Sequence, residues 1–188
     1  MIELNLDLRT YETCLKVVKS SGWLIQEIKL DELNLNKEQI YNLYLNALGN
    51  FGKGLKFIEE QTEELCLIAV KENGMALEYV KNKTPKICLE AVKQNWWAII
   101  FVEDQNNEIC IEALNQNVRA LKYMNDQSEE ICLEAVKKNG IALKYVNWDK
   151  FSKEQTYKLC LEAVKRSAEA IEYVKEDILN IYLKEQNL

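Results

Sequence analysis

Histidine is absent from this 188-residue chain. Its absence removes the side chain that most often serves as a general base, ligates metals in its neutral form and activates serine or cysteine nucleophiles. Proline occurs once and glycine six times, so the sequence is neither fibrous nor a low-complexity linker. With 48% hydrophobic and 29% charged residues, it has the composition of a folded globular chain.

Long apolar segments and a positive charge balance are also lacking. The most apolar stretch, from Trp96 to Val102, is seven residues long, whereas a membrane-spanning helix needs about 20. The first residues, MIELNLDLRT, do not have the basic-then-apolar layout of a signal peptide. The formal net charge is -6, which disfavours phosphate backbones and anionic membrane surfaces as partners. We therefore expect a soluble, cytoplasmic protein that binds no membrane.

What the sequence does contain is an internal repeat. The segments LCLIAVKENGMALEYV, ICLEAVKQNWWAIIFV, ICIEALNQNVRALKYM and ICLEAVKKNGIALKYV begin 22 residues apart, at Leu65, Ile87, Ile109 and Ile131. Their cysteines are followed, after 28 residues, by Cys160. Two diverged copies precede them, one around Cys14 and one in which Tyr44 replaces the cysteine. We number these copies repeats 1 to 7, and they cover residues 10–28, 36–58, 62–80, 84–102, 106–124, 128–146 and 152–174. A partial eighth copy, with Tyr182 in the cysteine's place, covers residues 178–188.

Each repeat predicts two helices. Apolar residues lie at the cysteine, one before it, and one, three and four after it, which is helical spacing. Helix-capping residues occur four positions before the cysteine, and again seven positions after it, where a second, short and partly 3₁₀ helix is expected to begin. The first set is Thr10, Thr62, Thr84 (followed by Pro85), Asn106 and Ser128; the second is Asn73, Asn95, Asn117 and Asn139, with Ser21 and Ser167 in their place and Phe51 as the exception.

Neither predicted helix can bury its apolar side alone, so neighbouring repeats must share a core. The predicted fold class is therefore all-α: an α-solenoid of about seven helix-turn-helix repeats of 22–30 residues, forming one domain over residues 1–188. The two longer spacings contain LNKEQIYNLYL and FSKEQTYKLCL. In these segments Asn36 with Gln39, and Ser152 with Gln155, predict capping boxes on first helices lengthened by about one turn.

The repeat core AVKxNGxALxYV is most complete at residues 69–80 and 135–146. It resembles the DUF4116 family of bacterial and large-virus proteins, and the resemblance covers nearly the whole chain. Repeats 1, 2 and 7 depart from the pattern because they lack the Asn-Gly pair. The resemblance implies helical repeats, but no established activity and no catalytic residues.

Catalysis, cofactors and metals find no support in the sequence. The six cysteines lie on the predicted buried sides of helices, far from C-x-x-C spacing, so we interpret them as reduced core residues. Glutamates recur once per repeat on the opposite face, whereas a catalytic acid pair needs contrasting environments. The glycines around Gly52 lie at helix boundaries and do not form a phosphate-binding loop. We expect no enzyme activity, no cofactor and no bound metal.

An aromatic residue recurs thirteen positions after the cysteine. The residues are Phe57, Tyr79, Phe101, Tyr123, Tyr145 and Tyr173. Packing between repeats is the favoured interpretation, although aromatic ladders also stack single-stranded bases. The flanking charges nearly cancel, with Lys53, Lys56, Arg119, Lys122 and Lys144 against Glu27, Glu78, Glu169 and Glu172, which argues against a phosphate track.

Repeat 4 departs from its sisters in its second helix. Trp96 replaces a small residue, Trp97 a variable one and Ile100 a Gln, Lys or Glu. One α-helical turn would pair Trp96 with Ile100 and Trp97 with Phe101. The sequence leaves open whether this cluster is a contact patch or is covered by local packing.

The function that the sequence favours is a non-enzymatic protein-protein interaction scaffold, acting on another protein or by self-association. Its candidate partner-binding residues are Trp96, Trp97, Ile100, Phe101, Tyr79 and Tyr123. Two alternatives stay open. One is a reader of single-stranded nucleic acid that uses the aromatic ladder, and the other is an inhibitor or effector that binds a host or competitor protein.

Overall fold

A computed structural model describes residues 8–185, which are helices and turns without any strand. The chain forms two compact units that meet at the Phe101–Val102 peptide. Unit 1 contains repeats 1–3 and repeat 4 up to Phe101, and unit 2 contains repeats 5–7 and a final helix. Within each unit, helix pairs stack against the next pair along the chain. The predicted all-α, solenoid-type repeat fold is confirmed, while the single domain stays a prediction.

The first helix of every repeat is α-helical. In unit 1 these helices are α1 (Tyr11–Ser20), α2 (Lys37–Leu48), α3 (Glu63–Glu72) and α4 (Pro85–Gln94). In unit 2 they are α5 (Asn107–Gln116), α6 (Glu129–Lys138) and α7 (Lys153–Arg166), followed by α8 (Glu176–Glu185). Helix α8 lies in the predicted partial repeat, whose residues 186–188 are outside the described part.

The second helix of every repeat is a six-residue 3₁₀ helix throughout, not only in part. In chain order these helices are Gly22–Glu27, Gly52–Phe57, Gly74–Tyr79, Trp96–Phe101, Val118–Tyr123, Gly140–Tyr145 and Ala168–Tyr173. Six residues are too few for the α-helical hydrogen-bond ladder to become cooperative, and the tighter i→i+3 pattern is common in such short pieces. Residues three apart therefore share a face in these helices.

The predicted helix starts are confirmed, but at two of them the side chain makes no capping hydrogen bond. All five first-helix residues accept a bond from the backbone N–H three positions on. The four second-helix asparagines accept from the N–H two positions on, at 3.0 Å each. Ser21 and Ser167, by contrast, make no side-chain cap. The predicted caps at these serines were wrong, because a serine hydroxyl forms this turn more weakly than the longer asparagine side chain.

The two longer spacings lengthen the first helices as predicted. Helix α2 begins seven residues before Tyr44 and α7 seven before Cys160, whereas α3 begins three before its cysteine. Both capping boxes are present, on Asn36 and Ser152. The remaining inserted residues form short 3₁₀ turns at Leu30–Glu32 and Trp148–Lys150.

The core is built from the same columns in every repeat. All six cysteines are buried and outside any disulfide, which confirms their predicted placement. In repeat 3, Leu65, Ala69 and Val70 of α3 are fully buried together with Leu77 of the 3₁₀ helix. Burial of each such aliphatic side chain contributes about 1.5–3 kcal/mol. The shared core fixes the 3₁₀ helices in place, so it also sets which of their residues face solvent.

Candidate partner-binding surface

The 3₁₀ helix of repeat 4 presents two large apolar side chains to solvent. Trp97 is 36% exposed and Ile100 is 40% exposed, whereas Ala98 and Ile99 between them are fully buried. Trp96 and Phe101 are half-buried. We call Trp97 and Ile100 the apolar pair. It is the part of the predicted cluster that is open to a partner.

The pairing predicted within this cluster was wrong. An α-helical turn would have placed Trp96 beside Ile100 and Trp97 beside Phe101. In the 3₁₀ helix, residues i and i+3 eclipse, so Trp97 lies on the same face as Ile100. The Trp96 ring meets the Trp97 ring edge to face instead, with centroids 4.9 Å apart and planes at 81°. Trp96 therefore supports the exposed indole from the side.

The backbone holds Trp97 in place. Its N–H donates to Asn95 Oδ1 at 3.0 Å, which fixes the first turn of the 3₁₀ helix. Because Ile99 is anchored in the core, the helix cannot rotate to bury the apolar pair without exposing Ile99. The pair is thus a rigid surface feature.

Tyr79 and Tyr123, the other predicted residues, do not join this pair in one cluster. Tyr79 is half-buried in the 3₁₀ helix of repeat 3, which contacts that of repeat 4. A hydrogen bond with Glu78 raises the pKa of Tyr79 above its usual value. Tyr123 is half-buried and belongs to unit 2.

Lysine side chains cover several rings of the aromatic column. Lys56 Nζ lies 4.5 Å from the Phe57 centroid, and Lys122 Nζ lies 5.6 Å from that of Tyr123. Across a repeat boundary, Lys144 Nζ lies 5.8 Å from the Tyr173 centroid. These cation–π contacts occupy ring faces that a stacked base would need. The geometry favours packing over base stacking for this column.

Trp23 was missed by sequence reasoning. It is 44% exposed and, like Trp97, stands nine positions after its cysteine. Three residues on, however, Trp23 is followed by the polar Gln26 instead of an isoleucine. The shared sequence position could have identified Trp23, but only repeat 4 has large apolar residues both at this position and three residues later.

A column of glutamines was missed as well. Five positions before the cysteine, Gln61, Gln105 and Gln127 reach into the next repeat. Their Nε2 groups donate to the carbonyls of Tyr79, Tyr123 and Tyr145, at 2.9, 3.1 and 3.0 Å. Each Oε1 accepts the backbone N–H of the residue two positions after that tyrosine, at 2.7–2.9 Å. The recurrence of glutamine was visible in the sequence, but its partners lie about 20 residues away.

A second inter-repeat column differs between the units. Six positions after the cysteine, Asn50, Glu72 and Gln94 accept the N–H of Gly22, Gly52 and Gly74 in the preceding repeat, each at 2.6 Å. In unit 2 the same position holds Gln116 in repeat 5, Lys138 in repeat 6 and Arg166 in repeat 7. The lysine and the arginine have no acceptor atom in their side chains, so neither can make this bond.

The cysteine thiols are not poised for chemistry. Burial raises the pKa of Cys110 and Cys160 to about 11 and that of Cys132 to about 12. Burial likewise raises the pKa of Cys14 and Cys66. A thiol needs to ionise before it attacks or ligates, and these five thiols stay protonated at neutral pH. Among residues 8–185, no three Cys, Asp or Glu side chains are placed to hold a metal. Within the same range, no helix is both long and apolar enough to cross a membrane.

The sequence profile of a family described as Domain of unknown function (DUF4116) matches residues 62–105, 84–127, 106–151 and 128–179. The chain belongs to the DUF4116 family. Each match covers two successive repeats, so the DUF4116 unit corresponds to a pair of neighbouring helix-turn-helix repeats. The DUF4116 matches begin at repeat 3 and leave out the diverged repeats 1 and 2. No curated protein and no solved structure matches the chain.

Proposed function

We propose that this DUF4116 protein is a non-enzymatic scaffold that binds another protein through the apolar pair. The observation that carries the proposal is the exposure of Trp97 and Ile100 on one face of a rigid 3₁₀ helix. The corresponding residues of repeat 5 are Arg119 and Lys122. Exposed tryptophan flanked by an aliphatic residue is typical of interface hot spots, where one side chain contributes about 2 kcal/mol or more to binding.

The deciding experiment changes Trp97→Arg and Ile100→Lys, the residues of repeat 5, and follows stability, self-association and capture of partners from native cytosol. Because both side chains are exposed, we expect the double variant to keep its melting temperature and to lose a partner or dimer that the wild type retains. A fall of about thirtyfold or more in affinity corresponds to one lost anchor of about 2 kcal/mol.

The matched control places the same two residues on the same columns of repeat 1, as Trp23→Arg with Gln26→Lys. It removes an exposed tryptophan that has no apolar neighbour three residues on, so association should be retained. If the repeat 4 variant unfolds while association per folded molecule is unchanged, the pair is a core element and the proposal fails. Equal losses of association in both double variants would indicate that any exposed tryptophan is enough for binding, whether or not an apolar neighbour is present.

A reader of single-stranded nucleic acid is the weaker candidate. The lysine-covered rings and the net charge of -6 both work against it. Binding of oligonucleotides that falls steeply with salt would reverse this preference. A role as an inhibitor or effector of a host or competitor protein would use the same protein-binding surface, so it differs in biological setting and not in chemistry.

A further inference from the structure

Unit 2 contains an open groove of about 570 Å³ between consecutive repeats. Repeat 5 lines it with Leu114–Val118, repeat 6 with Lys138 and Asn139, and repeat 7 with Arg166. The lining is mostly polar and includes no carboxylate, in a chain whose formal charge is -6.

The groove coincides with a change in how the repeats stack. In repeats 1–3 the residue at the position of Gly74 is glycine, and a Cβ at Gly74 would overlap the Ala91 carbonyl oxygen of the next repeat. Repeat 5 has Val118 at this position. Val118 lines the groove, at the position where glycine in repeat 3 leaves room for the next repeat to approach closely.

The two cations in this groove have no ion pair. Among the described residues, neither Lys138 nor Arg166 has a carboxylate within 4.0 Å. The neighbouring Lys137, by contrast, pairs with Glu134 at 3.2 Å. Lys138 and Arg166 also stand where unit 1 has hydrogen-bond acceptors. Both positive charges therefore face the groove without serving the fold.

We propose that this groove, which we call the Lys138–Arg166 groove, binds an acidic peptide segment of a protein partner. The proposal rests on the protein-binding function proposed above and adds a second contact of different chemistry. Arg166 is suited to grip a carboxylate with two parallel N–H groups, and Lys138 provides a second charge one repeat away. The side-chain amide of Asn115 offers both donors and an acceptor, and that of Asn139 offers a donor, as a peptide backbone requires.

A peptide fits this lining better than a free phosphate does. A hydrogen phosphate has at most one or two O–H groups to donate, whereas a peptide presents a backbone N–H at every residue to the Asn115 amide oxygen. The overall negative charge of the chain disfavours acidic segments over most of its surface. Since the charges are exposed, binding should weaken as salt rises.

The test is an amide NMR titration of the whole protein with N-acetylated, C-amidated hexaglutamate. We expect saturable shifts centred on Val118, Asn139 and Arg166, and none with the matching hexaglutamine peptide. Lys138→Gln with Arg166→Gln should weaken the affinity at least tenfold. The control, Lys137→Gln with Lys165→Gln, removes the same charge from the same helices outside the groove and should leave the affinity nearly unchanged.

Three outcomes would overturn the proposal: no saturable shift at millimolar peptide, equal weakening in both double variants, or tighter binding of inorganic phosphate at the same amides. The spectrum of each variant reports its folding, so misfolding cannot pass for lost binding. These experiments distinguish a failure of the groove proposal from a failure of the proposed protein-binding function. If hexaglutamate does not bind but capture still depends on Trp97 and Ile100, the groove proposal falls and the scaffold stands.

Discussion

Units 1 and 2 are built from the same repeat but stack it differently. In unit 1 each repeat boundary combines a glycine with an acceptor side chain, as in Gly74 with Gln94. In unit 2 the boundaries instead combine Val118 with Lys138, and Gly140 with Arg166. Both positions change at the first of these boundaries, whereas only the acceptor changes at the second, so substitutions at one or two positions replace a hydrogen-bonded boundary with a cationic surface. The cysteine and capping columns stay the same, so the helical fold is kept while the surface changes.

The largest expected difference between the units is in alkaline stability. Burial raises the pKa of Cys132 to about 12 and that of Cys110 and Cys160 to about 11, from an ordinary value of 9.0. A raised pKa in the folded state means that stability is complete below pH 9 and is lost as the pH rises toward 11–12. Between those limits, each pH step removes about 1.4 kcal/mol per thiol.

Urea unfolding between pH 8 and 11 measures this loss, with Cys132→Ala and Cys66→Ala as the paired variants. Cys132→Ala should reduce the pH dependence of the free energy of unfolding more than Cys66→Ala does. Identical slopes for the two variants would contradict the pKa difference.

The second prediction exchanges the glycine and valine of the two boundary types. Gly74→Val should destabilise the protein by about 3 kcal/mol, because the new side chain would overlap the Ala91 carbonyl and force the repeats apart. Val118→Gly should cost only about 1 kcal/mol, through backbone entropy. Urea unfolding of both variants gives the free energies, and a Gly74→Val loss no greater than that of Val118→Gly would mean that the two boundaries are equally tight.

The third prediction concerns the asparagine column that both units share. Asn117 Oδ1 accepts the Arg119 N–H at 3.0 Å, so Asn117→Ala should lower the free energy of unfolding by about 0.5–2 kcal/mol. The sequence alone suggests that Asn117→Ser would lose much less. Because Ser21 and Ser167 make no cap at this column, we expect the serine variant to lose almost as much as alanine.

Thermal unfolding compares the two variants, with Asn73→Ala as the counterpart in unit 1. A serine variant as stable as wild type would show that Ser21 and Ser167 fail to cap for reasons particular to their own repeats.

What the sequence predicts well here is local. Caps such as Thr62 and the Asn36–Gln39 box bind backbone groups two or three residues away, so spacing alone identifies them. The apolar pair was found because Trp97 and Ile100 break a column, although the face they share required knowing that the helix is 3₁₀. Hydrogen bonds between distant residues could not be predicted, because they depend on how the helices pack. Examples are the bond from Gln127 to the Tyr145 carbonyl and the bond from the Gly74 N–H to Gln94, which Arg166 cannot reproduce in its own repeat.

The smallest expected effect comes from Arg166→Gln. This substitution tests the comparison most directly, because it gives a repeat boundary of unit 2 the same residue types as a boundary of unit 1. Gly140 keeps the close approach to α7, since a Cβ there would overlap the Ala163 carbonyl. Arg166→Gln supplies the acceptor that Gln94 supplies to Gly74. The new hydrogen bond to the Gly140 N–H should raise the free energy of unfolding by about 0.5–1 kcal/mol.

The reverse change, Gln94→Arg, should lower stability by about 1 kcal/mol, because it leaves the Gly74 N–H without its acceptor. Urea unfolding in high salt measures both effects with charge interactions screened. Since Arg166→Gln also removes a cation from the Lys138–Arg166 groove, its stability and its affinity for hexaglutamate should change in opposite directions. A variant that gained stability and kept full affinity for hexaglutamate would show that Arg166 contributes neither to the fold nor to peptide binding.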